Sequence, residues 1–559
     1  MIVAELIIKA LENEGVEYVF GVPGEETEDL LFALESSRIK FVPTRHEQGA
    51  AFMADAYGRS TGKAGVCLAT LGPGATNLVT GIADAYLDKV PLVAITAQGG
   101  SDRVHKESHQ VLDIVRMLKP ITKWSTSIQN PKTASEVVRK AFKIAQSEKP
   151  GPTHIELPED IAAQTVSVPL MQPVNPRRSA PDHQAIAAAI DLLKQAEAPI
   201  ILAGNGAIRK MASKQLRAFV EKTDIPVIST FMGKGAIDDR DPHSLYTIGV
   251  PGRDFQMCAL ERADLVLSIG YDIEEYEPVK WNPSSEKDII HIDFEPAEVN
   301  EHYPTKVEII ADISATLWEL CQQVDAHKLR FHPTWFANLR KEIEADHSSY
   351  ALKEGEPFTV PGSLQIIREF MRPGDTMLSD VGSHKMWIGR NFPVYVPNST
   401  FISNGLATMG IALPGGIGAK LARPDKRVVT AMGDGGFLMN VQEIETAKRL
   451  GLGFPIIVFN DNDYGLIRWK QVSSAGKNFG TSLTNPDFVE LAHSFGIEGY
   501  APSTLKELRE VLKRVIEDQV LSIIEIPIDP RVNHELTEKL NSNICERFEF
   551  PELKKEESS

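Results

Sequence analysis

Short runs of Val, Ile and Leu, each closed by turn residues, alternate with amphipathic stretches along almost the whole chain. "EYVFGVPG", "FVPTRH", "AGVCLATLGPG", "PLVAITAQ" and "PTHIELP" are the first five such runs. Strands this apolar are buried on both faces, and an intervening helix makes successive strands parallel. The pattern predicts doubly wound α/β domains, each a parallel sheet covered by helices on both sides. Pro-rich polar text from Val168 to Gln184 interrupts it and reads as a linker. A second set follows, with "PIILAGNG", "IPVIST", "ADLVLSIG" and "DIIHIDF". Beyond the charged stretch "LRKEIEADHSSYALKEGEPF" comes a third, with "DTMLSDVG", "TFISNG", "RVVTAMGDG", "FPIIVFND" and "SIIEIPID". The expected division is a domain over 1–168, a second over 185–345, a third over 355–535, and a tail over 536–559 ending in the solvated run "RFEFPELKKEESS".

Composition excludes several classes of function. The 559 residues are 42% hydrophobic and 24% charged, as in a globular chain with several cores. A net charge of −17 argues against nucleic acid and against an anionic membrane surface as partners. No run reaches the roughly 20 apolar residues of a membrane span. The opening "MIVAELIIKALENEGVEYVFGVPG" reads as an amphipathic helix feeding a strand, not a signal peptide. Cys67, Cys258, Cys321 and Cys545 are far apart and not at metal-ligand spacing. They are expected to be unpaired, which fits a reducing cytoplasm.

Chemistry concentrates where predicted strands end. "RVVTAMGDG" runs into Gly433, Asp434, Gly435 and Gly436. Glycines let a backbone approach a ligand, and the following helix would turn its N-terminus toward an anion. The next strand, "GFPIIVFN", delivers Asn460, Asp461, Asn462 and Asp463 to the same edge. Asp434 and Asp461 together offer the oxygen ligands that magnesium takes beside substrate phosphates. The same text also fits an Asn/Asp-rich turn with no ligand. In the first domain, Glu47 follows a strand and precedes an Ala-rich helix. A glutamate there either complements the helix dipole or, buried, holds a proton.

The GDG turn with its following Asn-Asp pair resembles the thiamine diphosphate signature. "RHEQGAAFMADAYGR", "TLGPGATN" and "VPLVAITAQ" resemble the pyrimidine-binding domain of the acetohydroxyacid (acetolactate) synthase group. The resemblance covers nearly the whole chain and implies the three-domain fold of thiamine diphosphate enzymes. It implies that Asp434, Asp461 and the Asp463 carbonyl hold Mg²⁺. It implies that Glu47 is catalytic, holding a proton against the cofactor's aminopyrimidine ring. It extends cofactor contacts to Pro23 and Gly24 in "GVPG", to Gly72, Pro73 and Asn77, and to Gln110 in "VHKESHQVLD". In the third domain it adds Gly382, Ser383 and His384 in "SDVGSHKMW", Ala407 and the wedge residue Met409 in "ISNGLATMG", and Gly433, Gly435, Gly436, Tyr464, Gly465 and Leu466. A homodimer or homotetramer follows, because in the family the Glu47 position of one subunit meets the diphosphate loops of another.

The implied reaction joins two small 2-oxo acids: pyruvate loses carbon dioxide and its two-carbon unit passes to a second 2-oxo acid, giving 2-acetolactate. A 2-oxo acid decarboxylase or lyase and a flavin-bearing pyruvate oxidase-like enzyme are the alternatives. In the middle domain, "ADLVLSIGYDIEEYEPVKWN" resembles the flavin-independent catabolic type, with acidic residues in place of the anabolic "GxRFDDR". FAD is therefore not expected. Catabolic relatives carry a lysine at Glu26, a glutamine at Ala407 and a glutamine at Lys470, and Trp469 sits one position before the tryptophan of anabolic relatives. Glu26, Gln110, Ile467 and Lys470 are the candidate substrate residues, with Lys470 or Arg468 facing a substrate carboxylate. These departures leave the natural acceptor, the pathway and any regulatory subunit open.

Overall fold

A computed structural model describes residues 1–174, 178–209, 211–249, 254–332, 334–542 and 544–550. Among the described residues eighteen strands form three six-stranded sheets, and every pairing within them is parallel. The first sheet holds β1 (Tyr18–Gly21), β2 (Lys40–Pro43), β3 (Gly65–Ala69), β4 (Leu92–Gln98), β5 (Trp124–Ser127) and β6 (Pro152–Pro158), in the order β2-β1-β3-β4-β6-β5. The second holds β7 (Pro199–Ala203), β8 (Val227–Ser229), β9 (Ser244–Thr247), β10 (Leu265–Ile269), β11 (Asp288–Asp293) and β12 (Val307–Ile310). Its order, β12-β11-β10-β7-β8-β9, is that of dinucleotide-binding sheets. The third holds β13 (Thr376–Ser379), β14 (Thr400–Ile402), β15 (Val428–Gly433), β16 (Pro455–Asn460), β17 (Glu498–Tyr500) and β18 (Ser522–Pro527). Its order, β14-β13-β15-β16-β18-β17, repeats that of the first sheet.

The first and third domains share a hydrophobic core. Ala50, Met53, Ala54 and Tyr57 of the helix Glu47–Thr61 join Ala412, Leu413 and Ile417 of the helix Ala412–Ala422. The two helices cross closely at Gly418, where a Cβ would stand 2.2 Å from the Met53 carbonyl oxygen. Any larger residue there would push the domains apart. The His46 side chain accepts the Gln48 N–H at 3.1 Å and caps the helix that Glu47 begins, and Gly62 ends it at φ 69°.

Four local readings change. The segment after the GDG turn is not one helix: a single turn, Asp434–Phe437, precedes a separate helix, Glu443–Arg449. The first half of the charged stretch belongs to the helix Thr334–Ser348, whose Trp335, Phe336, Leu339 and Ile343 enter the second domain's core. Cys258 and Cys545 form a disulfide, contrary to the expectation of unpaired thiols, while Cys67 and Cys321 are free and buried. The pairing arises because Ile544–Arg547 docks on Phe255–Arg262, a contact 287 residues apart in sequence. The described part of the tail packs on the chain: the helix Arg531–Leu540 buries Leu536 and Leu540, and Phe550 packs on Trp335 at 6.3 Å between ring centres. The charged run 551–559 lies outside the described residues. Among the described residues, no helix is long and apolar enough to cross a membrane.

Candidate active site

In open parallel sheets ligands bind beyond the strand C-termini, where neighbouring strands send their helices to opposite sides. In the third sheet that point lies between β13 and β15, and the loops there are Asp380–His384 and Gly433–Gly436. β16 adds Asp461, Asn462 and Asp463, and the helix Gly465–Ala475 leaves from the same edge. A Cβ on Gly465 would fall 2.4 Å from Asp461 Oδ2 and 3.2 Å from Ser383 Oγ, so these three residues converge. Asn485 Nδ2 donates to Asp434 Oδ2 at 2.6 Å and lies 3.1 Å from both Asn460 Oδ1 and Asn462 Oδ1. Burial pushes the Asp461 carboxyl up to about 7, and the charges of Asp434 and Asp463 add to the effect. Burial also raises Asp434. Burial holds His384 down to about 3, so its imidazole is neutral. Three buried atoms at this edge have no hydrogen-bond partner among the described residues: His384 Nε2, Asp463 Oδ1 and Asn485 Oδ1. No three His, Cys, Asp or Glu side chains form a metal cage among the described residues.

The corresponding point of the first sheet lies between β1 and β3. After β1 come Pro23, Gly24 and Glu26, and after β3 come Gly72, Pro73 and Asn77. The Thr70 hydroxyl donates to Glu26 Oε2 at 2.6 Å, joining the two loops. Gly72 abuts the backbone of Gln110, an exposed residue at φ 58°. Glu47 is 9% exposed, and its Oε2 accepts from Asn77 Nδ2 at 2.9 Å. The turn before Glu47 is clamped from the third domain. Glu443 Oε1, buried, accepts the Arg45 N–H at 3.0 Å and the His46 N–H at 3.1 Å. Asn440 Nδ2 reaches Gln48 Oε1 at 3.3 Å.

The loop bearing Ala407 and Met409 is held from two sides. Thr408 Oγ1 donates to Asp84 Oδ1 at 2.7 Å, Gly405 N–H to Asp88 Oδ1 at 2.7 Å, and Gly410 N–H to Asp380 Oδ1 at 2.9 Å. Ala407 stands at φ 56°, a left-handed backbone held by these bonds. Asp84 and Asp88 in turn share one cation, Arg59, with Asp55. Burial pushes Asp380 up to about 6.

The structure separates the remaining candidates. Arg468 is taken up by Asp463, with Nη1 3.2 Å from Oδ2. Trp469 donates from Nε1 to Thr537 Oγ1 at 2.6 Å. Both residues line an apolar cavity of 600 Å³ that Leu466, Ile467 and Lys470 border with Met386. The helix Gly465–Ala475 buries none of its residues in the chain alone. Glu47 and the Asp434 set stand on different sheets, and no bond joins them among the described residues. Glu443, Asn485, Asp380 and the Arg59 cluster were missed from sequence, because each is a single polar residue whose partners lie far away in the chain.

Comparison with protein families matches residues 1–117 to the thiamine pyrophosphate enzyme N-terminal TPP binding domain, 186–320 to the central domain, and 380–526 to the C-terminal TPP binding domain. The chain is 36% identical over 541 residues to the acetolactate synthase of Bacillus subtilis (strain 168), covering 94% of this chain and 93% of that protein. It is 34% identical over 550 residues to a probable acetolactate synthase large subunit of Methanocaldococcus jannaschii, covering 94% and 92%. With the acetolactate synthase isozyme 2 large subunit of Escherichia coli (strain K12) it shares 33% over 535 residues, covering 95% and 96%. The likeness runs through the linkers as well as the three sheets, and the chain belongs to the acetolactate synthase family of thiamine pyrophosphate enzymes.

Proposed function

We propose that the chain is an acetolactate synthase-type carboligase, forming 2-acetolactate from pyruvate and a second 2-oxo acid, with magnesium and no flavin. The observation that carries this reading is the pairing of two sheets of the same strand order, one edge bearing Glu47 and the other Asp434 and Asp461. Thiamine diphosphate, when bound, supplies the nucleophilic carbon that adds to a 2-oxo acid and takes up the electrons left as carbon dioxide departs. The orphaned atoms at the third sheet's edge fit its diphosphate and metal: His384 Nε2 and Asp463 Oδ1 are buried and unpartnered. Asp434, Asp461 and the Asp463 carbonyl would hold magnesium, which keeps part of its shell for phosphate oxygens. The crowding of carboxylates around Asp461 is what a cation relieves. Glu47 would hold a proton at the pyrimidine end, oriented by Asn77. Met409 would support the cofactor's bent shape. The apolar cavity beside Leu466 and Ile467 would exclude water, and Lys470 would meet a substrate carboxylate.

Incubation with pyruvate, magnesium and thiamine diphosphate is expected to yield acetolactate. Acetaldehyde without acetolactate would defeat the carboligase reading in favour of a decarboxylase. Varying the second 2-oxo acid identifies the acceptor. Asp434→Ala is expected to weaken magnesium-dependent cofactor binding at least tenfold, followed by quenching of tryptophan fluorescence. Unaltered affinity would count against the metal site.

The reading without flavin rests on the central sheet. Its loop after β7 donates the Asn205 N–H to Glu275 Oε1 at 3.0 Å and Oε2 at 3.2 Å. The Thr230 hydroxyl also donates to Glu275. A carboxylate of the chain thus takes the donors that a dinucleotide diphosphate would need at that point. The purified protein is expected to be colourless, and flavin bands in its visible spectrum would sink this part. A homodimer is the smallest unit expected to complete the site, since Met439, Leu406 and Ile467 are exposed in one chain. An active monomer in sedimentation would contradict it.

A further inference from the structure

Two cavities flank the loop after β7. One, of 660 Å³, is lined by Tyr271, Asp272, Glu274, His291 and Tyr303. The other, of 360 Å³, lies where the three domains meet. Lys149 stands at the division, paired with Asp272 and with Asp293 at 3.2 Å, and Arg209 pairs with Glu148 at 3.1 Å. Lys149 lines the larger cavity and its neighbours Glu148 and Pro150 line the smaller, so these ion pairs lie between the two.

We propose that the cavity between the three domains binds a compact anion, a carboxylate or a phosphate, between Arg209 and Arg423. Arg209 uses Nε for Glu148, and its Nη1 and Nη2 are buried with no hydrogen-bond partner among the described residues. The Thr400 hydroxyl, on the wall of the same cavity, is buried at 8% exposure and has no partner either. Among the described residues Arg423 hydrogen-bonds the Ser60 carbonyl and pairs with no carboxylate. A planar guanidinium matches a carboxylate or phosphate by two parallel N–H bonds, so these free donors define the ligand's chemistry.

The charges around the cavity agree. Its lining holds the cations Arg59, Lys89, Arg209 and Arg423 against the acids Asp88 and Glu148. Arg59 is already satisfied by Asp55, Asp84 and Asp88. Lys89 stands 3.2 Å from Glu274. The other acids near Arg209 are occupied: Asp272 and Asp293 by Lys149, Glu275 by the N–H groups of Asn205 and Asp272. The donors of Arg209 and Arg423 remain for an incoming anion. Asp88, on the cavity wall, accepts the N–H groups of Asn404 and Gly405. An anion bound here therefore sits against the support of the loop that carries Ala407 and Met409.

The test reads binding, so it stands apart from the reaction. The chain, saturated with thiamine diphosphate and magnesium to fill the diphosphate edge, is titrated with inorganic phosphate and separately with malonate at constant ionic strength. Thermal unfolding is the readout. Millimolar phosphate or malonate is expected to raise the midpoint by about 2 °C, and chloride is not. A response to phosphate alone marks a phosphoryl ligand, and one to malonate alone marks a carboxylate. Arg209→Gln is expected to abolish the shift. Thr400→Val, which leaves every ion pair intact, is expected to weaken it severalfold. The proposal is overturned if neither anion shifts the midpoint, or if Arg209→Gln and Thr400→Val both keep the full shift.

Discussion

Glu47→Gln is expected to bind thiamine diphosphate and magnesium as the parent chain does, and to form acetolactate about 10²–10⁴-fold more slowly, the span attributed to a positioned acid or base. The substitution keeps the length and shape of the side chain. It removes the only change Glu47 can make, the gain and loss of a proton at a carboxylate oxygen. The surroundings fit that proposed role. Asn77 donates to Oε2, which leaves Oε1 for the ligand. Glu443 grips the two residues before Glu47, so the carboxylate is placed by the third domain as well as by its own helix. Loss of turnover with unchanged cofactor affinity is the expected split. Deuterium exchange at the cofactor's reactive carbon, slowed in the same proportion, separates proton transfer from misfolding. Unchanged turnover would remove Glu47 from the mechanism.

Arg59→Leu is expected to cost about 3–5 kcal/mol of stability, the range found when one partner of a buried ion pair is lost. Here one guanidinium serves three buried carboxylates, Asp55, Asp84 and Asp88, and its own side chain is 9% exposed. Without it Asp84 and Asp88 keep their bonds to the 403–408 loop but lose their cation. Burial already raises the Asp84 carboxyl above its ordinary value, and Asp88 and Asp55 raise it further. A carboxyl raised in the folded state favours folding below its unfolded value and loses that contribution as pH rises through the folded one. Removing Arg59, whose charge holds Asp84 and Asp55 down, raises those two further, so the deficit grows with pH. Urea midpoints at pH 5 and pH 8 are expected to differ from the parent's more at pH 8. An equal deficit at both pH values would show that lost packing, not charge, is responsible.

Much of this was legible in the sequence, and the exceptions share a cause. The strands absent from the sequence reading are β5, β9, β12 and β17, and each lies at the edge of its sheet. β5 and β17 have no fully buried residue and β12 has one, whereas β9 buries three of its four residues but is too short and polar, "SLYT", to stand out. An edge strand packs on one side only and loses the continuous apolar run that marks a central one. The cofactor motifs were readable because each compresses a strand end, a glycine and a donor into a few consecutive residues. Glu443 and Asn485 were not, since each acts from a segment remote in sequence from what it holds.

By itself the sequence determined three parallel-sheet domains, the thiamine diphosphate motifs at their edges, and the departures at Glu26, Ala407 and Lys470. Periodicity and short motifs are local, and local patterns survive without knowledge of the fold. Tertiary structure alone decided which distant residues share a site. It set Glu443 under the turn before Glu47, joined Cys258 to Cys545, paired Arg468 with Asp463, and seated Glu275 on the Asn205 N–H. Each of these depends on packing between segments far apart in the chain, where burial and charge act through space and leave no spacing to read.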